Sequence, residues 1–221
     1  HREDRELPMA DSVPFAAVPQ LLTRVSDDFL WTAEQCAARG YDEVNLNVGC
    51  PSGTVVSKGK GSGMLRDPDA LDRFLEEIFR ASPLPISVKT RIGLDSPEEF
   101  PGILEIYNRY PIKELTIHPR VRKQFYDGAV DTDTFRYAAE HSKNPLCYNG
   151  DITALPQVEF LQEQFPALQS VMIGRGLVAD PGMLCGGTEK AALQSFMDEL
   201  LERYTDAFGG SRNAMFRLKE N

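Results

Sequence analysis

The sequence predicts an α/β protein of the (β/α)8 barrel type, of which about six βα units are visible. Three observations carry that prediction. Short apolar stretches alternate with segments of helical periodicity from residue 17 to residue 173, the pattern of parallel strands joined by helical crossovers. The run from Glu43 to Val48 ends abruptly in Gly49-Cys50-Pro51, so a buried strand delivers a cysteine to the loop at its C-terminal end, where such barrels do their chemistry. Glycine-bearing turns, Asn149-Gly150-Asp151 and Gly174-Arg175-Gly176, then close two later strands. The chain's 221 residues are fewer than the ~250 of a complete barrel.

Each element has its own warrant. Ala17 to Gln20 is a short first strand, and Ser26-Asp27-Asp28 is placed to cap a helix to about Arg39, where Gly40 stops it. Glu43 to Asn47 is the second strand. Asp67-Pro68-Asp69 opens a helix in which Leu71, Phe74, Leu75 and Ile78 recur at helical spacing. Ile86 to Lys89 is the third strand. Ser96-Pro97-Glu98-Glu99 starts the next helix, to about Tyr110, with a serine cap, proline in the first turn and glutamate three residues after the cap. Glu114 to Ile117, Leu146 to Tyr148 and Val171 to Ile173 are three further strands, separated by helices near 131–141 and 154–164. From Gly187 only helix is expected. Leu193, Phe196, Met197, Leu200, Leu201 and Tyr204 form its apolar stripe, and Gly209-Gly210 breaks it before a further short helix. The organisation expected is a barrel domain over 1–186, lacking its first units, followed by the start of a helical domain over 187–221.

A content of 42% hydrophobic and 26% charged residues is that of an ordinary globular protein. No apolar run is long enough to span a bilayer and no signal peptide opens the sequence, so no membrane partner is expected. Cys36, Cys50, Cys147 and Cys185 are scattered without metal-ligand spacing, which argues against a metal and for the reducing cytoplasm. Cys36 and Cys147 read as core and Cys185 carries no role; His1 and His141 read as exposed and Trp31 as packing. The net charge of −9 is awkward for a nucleic-acid enzyme, since phosphates need cations. Yet Lys58, Lys60, Arg66, Lys89, Arg91, Arg120, Arg122 and Lys123 all lie in or near strand-end loops, which a barrel gathers on one face. The Ser57–Met64 stretch lacks the spacing of a dinucleotide fingerprint and reads as a mobile loop that closes over substrate.

NLNVGCPS at 45–52 is followed in order by SVKTRIG at 87–93, TIHPR at 116–120, YNGDI at 148–152 and MIGRG at 172–176. This series resembles the tRNA-dihydrouridine synthase family of flavin enzymes. The resemblance implies FMN-dependent reduction of uridines in tRNA to 5,6-dihydrouridine, with NADPH as reductant and tRNA as partner. It implies that Cys50 gives a proton to uracil C5 while hydride reaches C6, a role that requires a protonated thiol. It places Asn47 at the uracil edge and Lys89 at the flavin N1–C2 edge, where a cation stabilises negative charge. His118 and Gln20 would contact the flavin, and Arg120 would grip substrate or phosphate. Arg91 would contact RNA or a neighbouring loop. Asn149, Asp151, Gly174 and Arg175 occupy the late strand-end loops where barrels bind phosphate.

The chain departs from the family pattern in three places. Pro119 stands where glycine is usual, and residues 1–16 lack the family's Ala-Pro-Met-type segment. The Arg217–Glu220 segment, internal in the family, lies at the end of this sequence, which therefore reads as an internal portion of a longer protein. Two alternatives stand beside the main reading: an FMN barrel oxidoreductase acting on a free pyrimidine, separated from it by RNA dependence, and a catalytically silent RNA-binding relative. The oligomeric state is not legible.

Overall fold

Six parallel strands form one sheet in which every strand pairs only with its neighbours in sequence. The computed structural model describes residues 7–218. The strands are β1 (Gln20–Leu21), β2 (Val44–Val48), β3 (Ile86–Arg91), β4 (Leu115–His118), β5 (Leu146–Asn149) and β6 (Ser170–Met172). A doubly wound sheet reverses its strand order at a switch point, whereas this order never reverses, which is the winding of a (β/α) barrel. Between and after the strands run α1 (Ser26–Ala38), α2 (Gly53–Val56), α3 (Pro68–Ala81), α4 (Phe100–Tyr107), α5 (Thr132–His141), α6 (Leu155–Gln164), α7 (Arg175–Ala179), α8 (Lys190–Phe208) and α9 (Ser211–Leu218). None is long and apolar enough to cross a membrane among the described residues.

The period of two along each strand gives the sheet two unlike faces. One carries Leu21, Val44, Leu46, Val48, Ile86, Val88, Leu115, Ile117, Leu146 and Tyr148, all buried. Helices cover it: the Tyr107 hydroxyl of α4 donates to Thr90 Oγ1 at 2.9 Å, and Phe135 of α5 meets Tyr148 edge-on with ring centroids 4.9 Å apart. Behind this layer Phe29 of α1 packs edge-on against Phe74 of α3. Each such side chain, fully buried, contributes about 1.5–3 kcal/mol. The opposite face is polar. Asn45 lies beside Ser87; Asn47, Lys89, Thr116, Cys147 and Ser170 form a continuous row; and Arg91 faces His118.

Several expectations are corrected. Pairing begins at Gln20 rather than Ala17, because Pro19 offers only its carbonyl, which accepts from Asn45 N–H. Ser26 is the first helical residue and not a cap; its hydroxyl donates to Glu77, and no side chain caps α1. β3 runs two residues beyond Lys89, to Arg91. The helix begun at Ser96 is a short 3-10 turn, Pro97–Glu99, leading into α4, and ends at Tyr107 rather than Tyr110. Within 57–64 only the first half is open, Ser57 and Lys58 being exposed; Gly61–Met64 are buried within a 3-10 turn, Gly61–Arg66. Trp31 is 59% exposed rather than packed. The stripe on α8 is incompletely covered, with no buried residue and Phe196 at 47% exposure. His1 and the end of the Arg217–Glu220 segment lie outside the described residues.

The chain divides into two compact units. One is built on residues up to Gly150 together with Gln162–Met172 and contains the whole sheet. The other comprises Asp151–Leu161 and the residues from Ile173 onward.

Candidate active site

At the C-terminal end of β2 the Asn47 side chain organises the turn that carries Cys50. Its Oδ1 accepts the backbone N–H groups of Gly49 (3.0 Å) and Cys50 (2.9 Å). Its Nδ2 donates to Gln20 Oε1 at 2.7 Å. Gln20 Nε2 donates in turn to Asn45 Oδ1, and Asn45 Nδ2 to Ser87 Oγ, each at 2.8 Å. Three amides thus run in one direction across β1, β2 and β3, which fixes the orientation of each. The Cys50 carbonyl is held from the other side by Ser62, through its N–H (3.0 Å) and its hydroxyl (2.8 Å). With Pro51 restricting the backbone that precedes it, the half-buried Cys50 thiol is held in one place.

Lys89 sits next to Asn47 in the strand register. It is half-buried, and no carboxylate or hydrogen-bond acceptor is paired with its ammonium among the described residues. Burial, and then the charge of Arg91, push its pKa below the ordinary lysine value, with the Cys147 and Cys50 sulfurs acting the other way. Cys147 lies on the same face, and burial pushes its thiol up to about 11, so it is an inert core group as expected.

Arg91 and Arg120 are each 1% exposed. Arg91 donates from Nε to the Gly49 carbonyl (3.0 Å), from Nη1 to Val121 (3.1 Å) and from Nη2 to Phe125 (2.6 Å), and its guanidinium lies 5.5 Å from the centre of the Tyr126 ring. It therefore ties the turn before Cys50 to the loop after β4. Arg120 donates to the Gly128 carbonyl and meets His118 Nε2 at 3.1 Å. A guanidinium can only donate, so Nε2 accepts and the imidazole proton sits on Nδ1. Of the two contacts the sequence left open for Arg91, the structure realises the neighbouring loop. Arg120, expected to grip substrate or phosphate, is likewise buried and meets His118 and the Gly128 carbonyl. The eight cations expected on one face differ in exposure: Arg91 and Arg120 are buried, Lys60, Lys89 and Arg122 half-buried, and Lys58, Arg66 and Lys123 exposed.

In the second unit Asp151 adopts a left-handed backbone (φ 48) and its Oδ1 lies 2.7 Å from Arg175 Nη2. Gly174 immediately precedes α7, and Gly176 packs so closely that a Cβ there would lie 2.3 Å from the Ile152 carbonyl oxygen. Asp151, Gly174 and Arg175 thus come together within that unit, whereas Asn149 belongs to the sheet and donates to the Met172 carbonyl at 2.8 Å. No group of acidic, histidine and cysteine side chains able to hold a metal is present among the described residues.

Sequence reasoning missed Ser62, Gly61 and Tyr126. Tyr126 is 52% exposed, its ring centroid 6.1 Å from that of His118. Its signal was an aromatic residue in a polar loop with no strand or helix period to explain it.

The Dihydrouridine synthase (Dus) family model matches residues 4–207. A probable tRNA-dihydrouridine synthase of Rhizobium leguminosarum bv. phaseoli is 33% identical over 194 residues, covering 84% of this chain and 60% of that protein. A probable tRNA-dihydrouridine synthase of Rickettsia bellii is 33% identical over 78% of this chain and 56% of its own length. The tRNA-dihydrouridine(20/20a) synthase of Shewanella oneidensis is 29% identical over 84% of this chain and 61% of its own. The chain spans little more than half the length of these curated relatives.

Proposed function

The chain belongs to the dihydrouridine synthase family, and from that premise we propose that its strand-end face reduces uridines in tRNA to 5,6-dihydrouridine. The observation that carries the reading is that a cysteine pinned through both sides of its main chain follows a strand whose Asn47 lies next to a half-buried, uncompensated ammonium, that of Lys89, in the sheet.

The residues present suit a flavin. An ammonium kept partly from water, with no carboxylate against it, favours a neighbour that accumulates negative charge, as the N1–C2 edge of an isoalloxazine does. Lys89 would hold that edge, and Gln20 and His118 the ring; within the second unit Asp151 orients Arg175 through their ion pair, beside Gly174, as a donor set suited to a phosphate. FMN, when bound, supplies the hydride that uracil C6 receives, with NADPH as its source. Cys50 Sγ–H gives a proton to C5, so hydride and proton together saturate the C5=C6 bond. Asn47 holds the Cys50 turn with its oxygen and Gln20 with one amide hydrogen, which leaves its second N–H for a carbonyl of the base. Arg91 fixes Gly49 and hence the direction of approach of the thiol. The cytoplasm is the compartment in which this chemistry would run.

The test is dihydrouridine formation in an unmodified tRNA transcript with FMN and NADPH, after the visible spectrum has established flavin content. Cys50→Ala should retain the flavin and lose about 10²–10⁴-fold in rate. Turnover at the wild-type rate in that variant would remove the proton-donor assignment.

A further inference from the structure

We propose that two cavities flanking the 53–66 segment seat phosphodiesters of the substrate strand on either side of the nucleotide whose base reaches Cys50. The inference rests on the functional reading above and adds where the RNA backbone runs. Both cavities lie in the first unit between strand-end loops and the helical layer, α3 lining both and α4 one of them. One, of about 400 Å³, is formed by the loop after β1 and the segment after β2, and is lined by Arg24, Ser57, Lys58 and Arg66. The other, of about 530 Å³, is bounded by Arg66 again, by the Leu94–Glu99 turn and by Arg122. Arg66 borders both.

Intramolecular pairing does not account for these cations. The sequence has 33 acidic against 24 basic residues, yet Arg24, Lys58 and Arg66 make no ion pair among the described residues. The carboxylates nearby are otherwise engaged: Asp67 Oδ1 caps α3 through Ala70 N–H, and Glu99 accepts the N–H groups of Leu94, Asp95 and Ser96. Asp95 is exposed with no side-chain partner among the described residues, and Asp67 keeps one carboxylate oxygen unengaged there. Arg122 lines the second cavity, and its buried Nε has no hydrogen-bond partner among the described residues. Gly59 gives Arg24 its place, since a Cβ there would lie 3.3 Å from the arginine side chain.

The segment between the cavities also carries Ser62, whose two hydrogen bonds hold the Cys50 carbonyl. Backbone grip and proton donor are therefore built on one short piece of chain. An enzyme that acts on a base in structured RNA has to draw that base out of its stack. Anchoring the phosphates on both sides of the nucleotide gives the purchase for doing so, and guanidinium groups suit phosphate oxygens.

The test is the salt dependence of affinity for an unmodified tRNA transcript, with steady-state dihydrouridine formation measured beside it. Arg24→Ala, Arg66→Ala and Arg122→Ala should each lower the slope of log K against log salt by about 1. Each should raise KM for tRNA more than it lowers kcat. Arg66→Lys should keep the slope, and Arg73→Ala, an exposed cation on α3 outside both cavities, should leave slope and KM unchanged. Thermal midpoints near that of the wild type will establish that each variant is folded. Wild-type binding with unaltered slopes in the three alanine variants would overturn this inference alone. A wild-type protein that binds no tRNA would overturn the functional reading, and this inference with it.

Discussion

Gly61 carries a constraint that its neighbours in the 57–64 stretch do not. Its φ of +55 is in the left-handed region, and a Cβ there would lie 2.8 Å from Cys50 Cβ and 2.9 Å from the Cys50 carbonyl oxygen. Gly61→Ala should cost about 1–3 kcal/mol in a urea titration and, on the proposed function, slow turnover more than it weakens flavin binding, because the strain falls on Cys50. Unchanged stability and rate would show that the turn yields without moving Cys50. At this scale the turn that carries Cys50 was legible in the sequence, because the contacts that hold it lie within three residues of each other. It was uninformative about Arg91 and Arg120. Their carbonyl partners lie in loops brought near by the fold, and a strand-end arginine bound for the interior has the same local sequence as one bound for solvent. The mobile loop expected at 57–64 is packed over its second half for a related reason. Its glycines look like freedom in a sequence, but here they are what lets the turn pack beneath Cys50.

The turn before α4 shows how an element's start can be written fully in its own residues. Ser96 and Glu99 form a reciprocal capping box, as their spacing predicts. Burial by itself would raise the Glu99 pKa, yet the N–H groups of Leu94, Asp95 and Ser96 bring it below the ordinary carboxylate value. A carboxylate with a depressed folded-state pKa stabilises the fold above its unfolded pKa, and that stability is lost as pH falls through the folded one. Glu99→Gln should therefore cost about 1–2 kcal/mol at pH 7, with the difference shrinking as pH drops below the ordinary carboxylate range. Chemical denaturation at pH 7 and pH 3 checks both the size and the sign. The opening of α1 was less legible, because Ser26 is turned to Glu77, a partner on another helix that no local pattern reveals.

Over the whole molecule, burial is unevenly shared. β2, β3 and β4 are buried along nearly their full length, whereas α8 has no buried residue and α9 only Ala214. Amides of β2–β4 should exchange with solvent only through global unfolding, while those of α8 should exchange at far lower free energies. Equal protection in hydrogen exchange would contradict that ordering. The strand order and the helical end were legible in the sequence because each rests on a periodic pattern. The cover over the α8 stripe was not, since an amphipathic period announces an apolar face without naming what lies on it. The two-faced sheet described above has a further consequence. A slip of one residue between β2 and β3 would turn Asn45 and Asn47 toward the helices and present Leu46 and Val48 where Lys89 now lies. Such a chain would lose its polar row and expose apolar surface in the same event. Misfolding in this protein should therefore be all-or-none, with no slightly misaligned molecule keeping the polar row, and a cell's quality control would meet a sticky species rather than a subtly altered one.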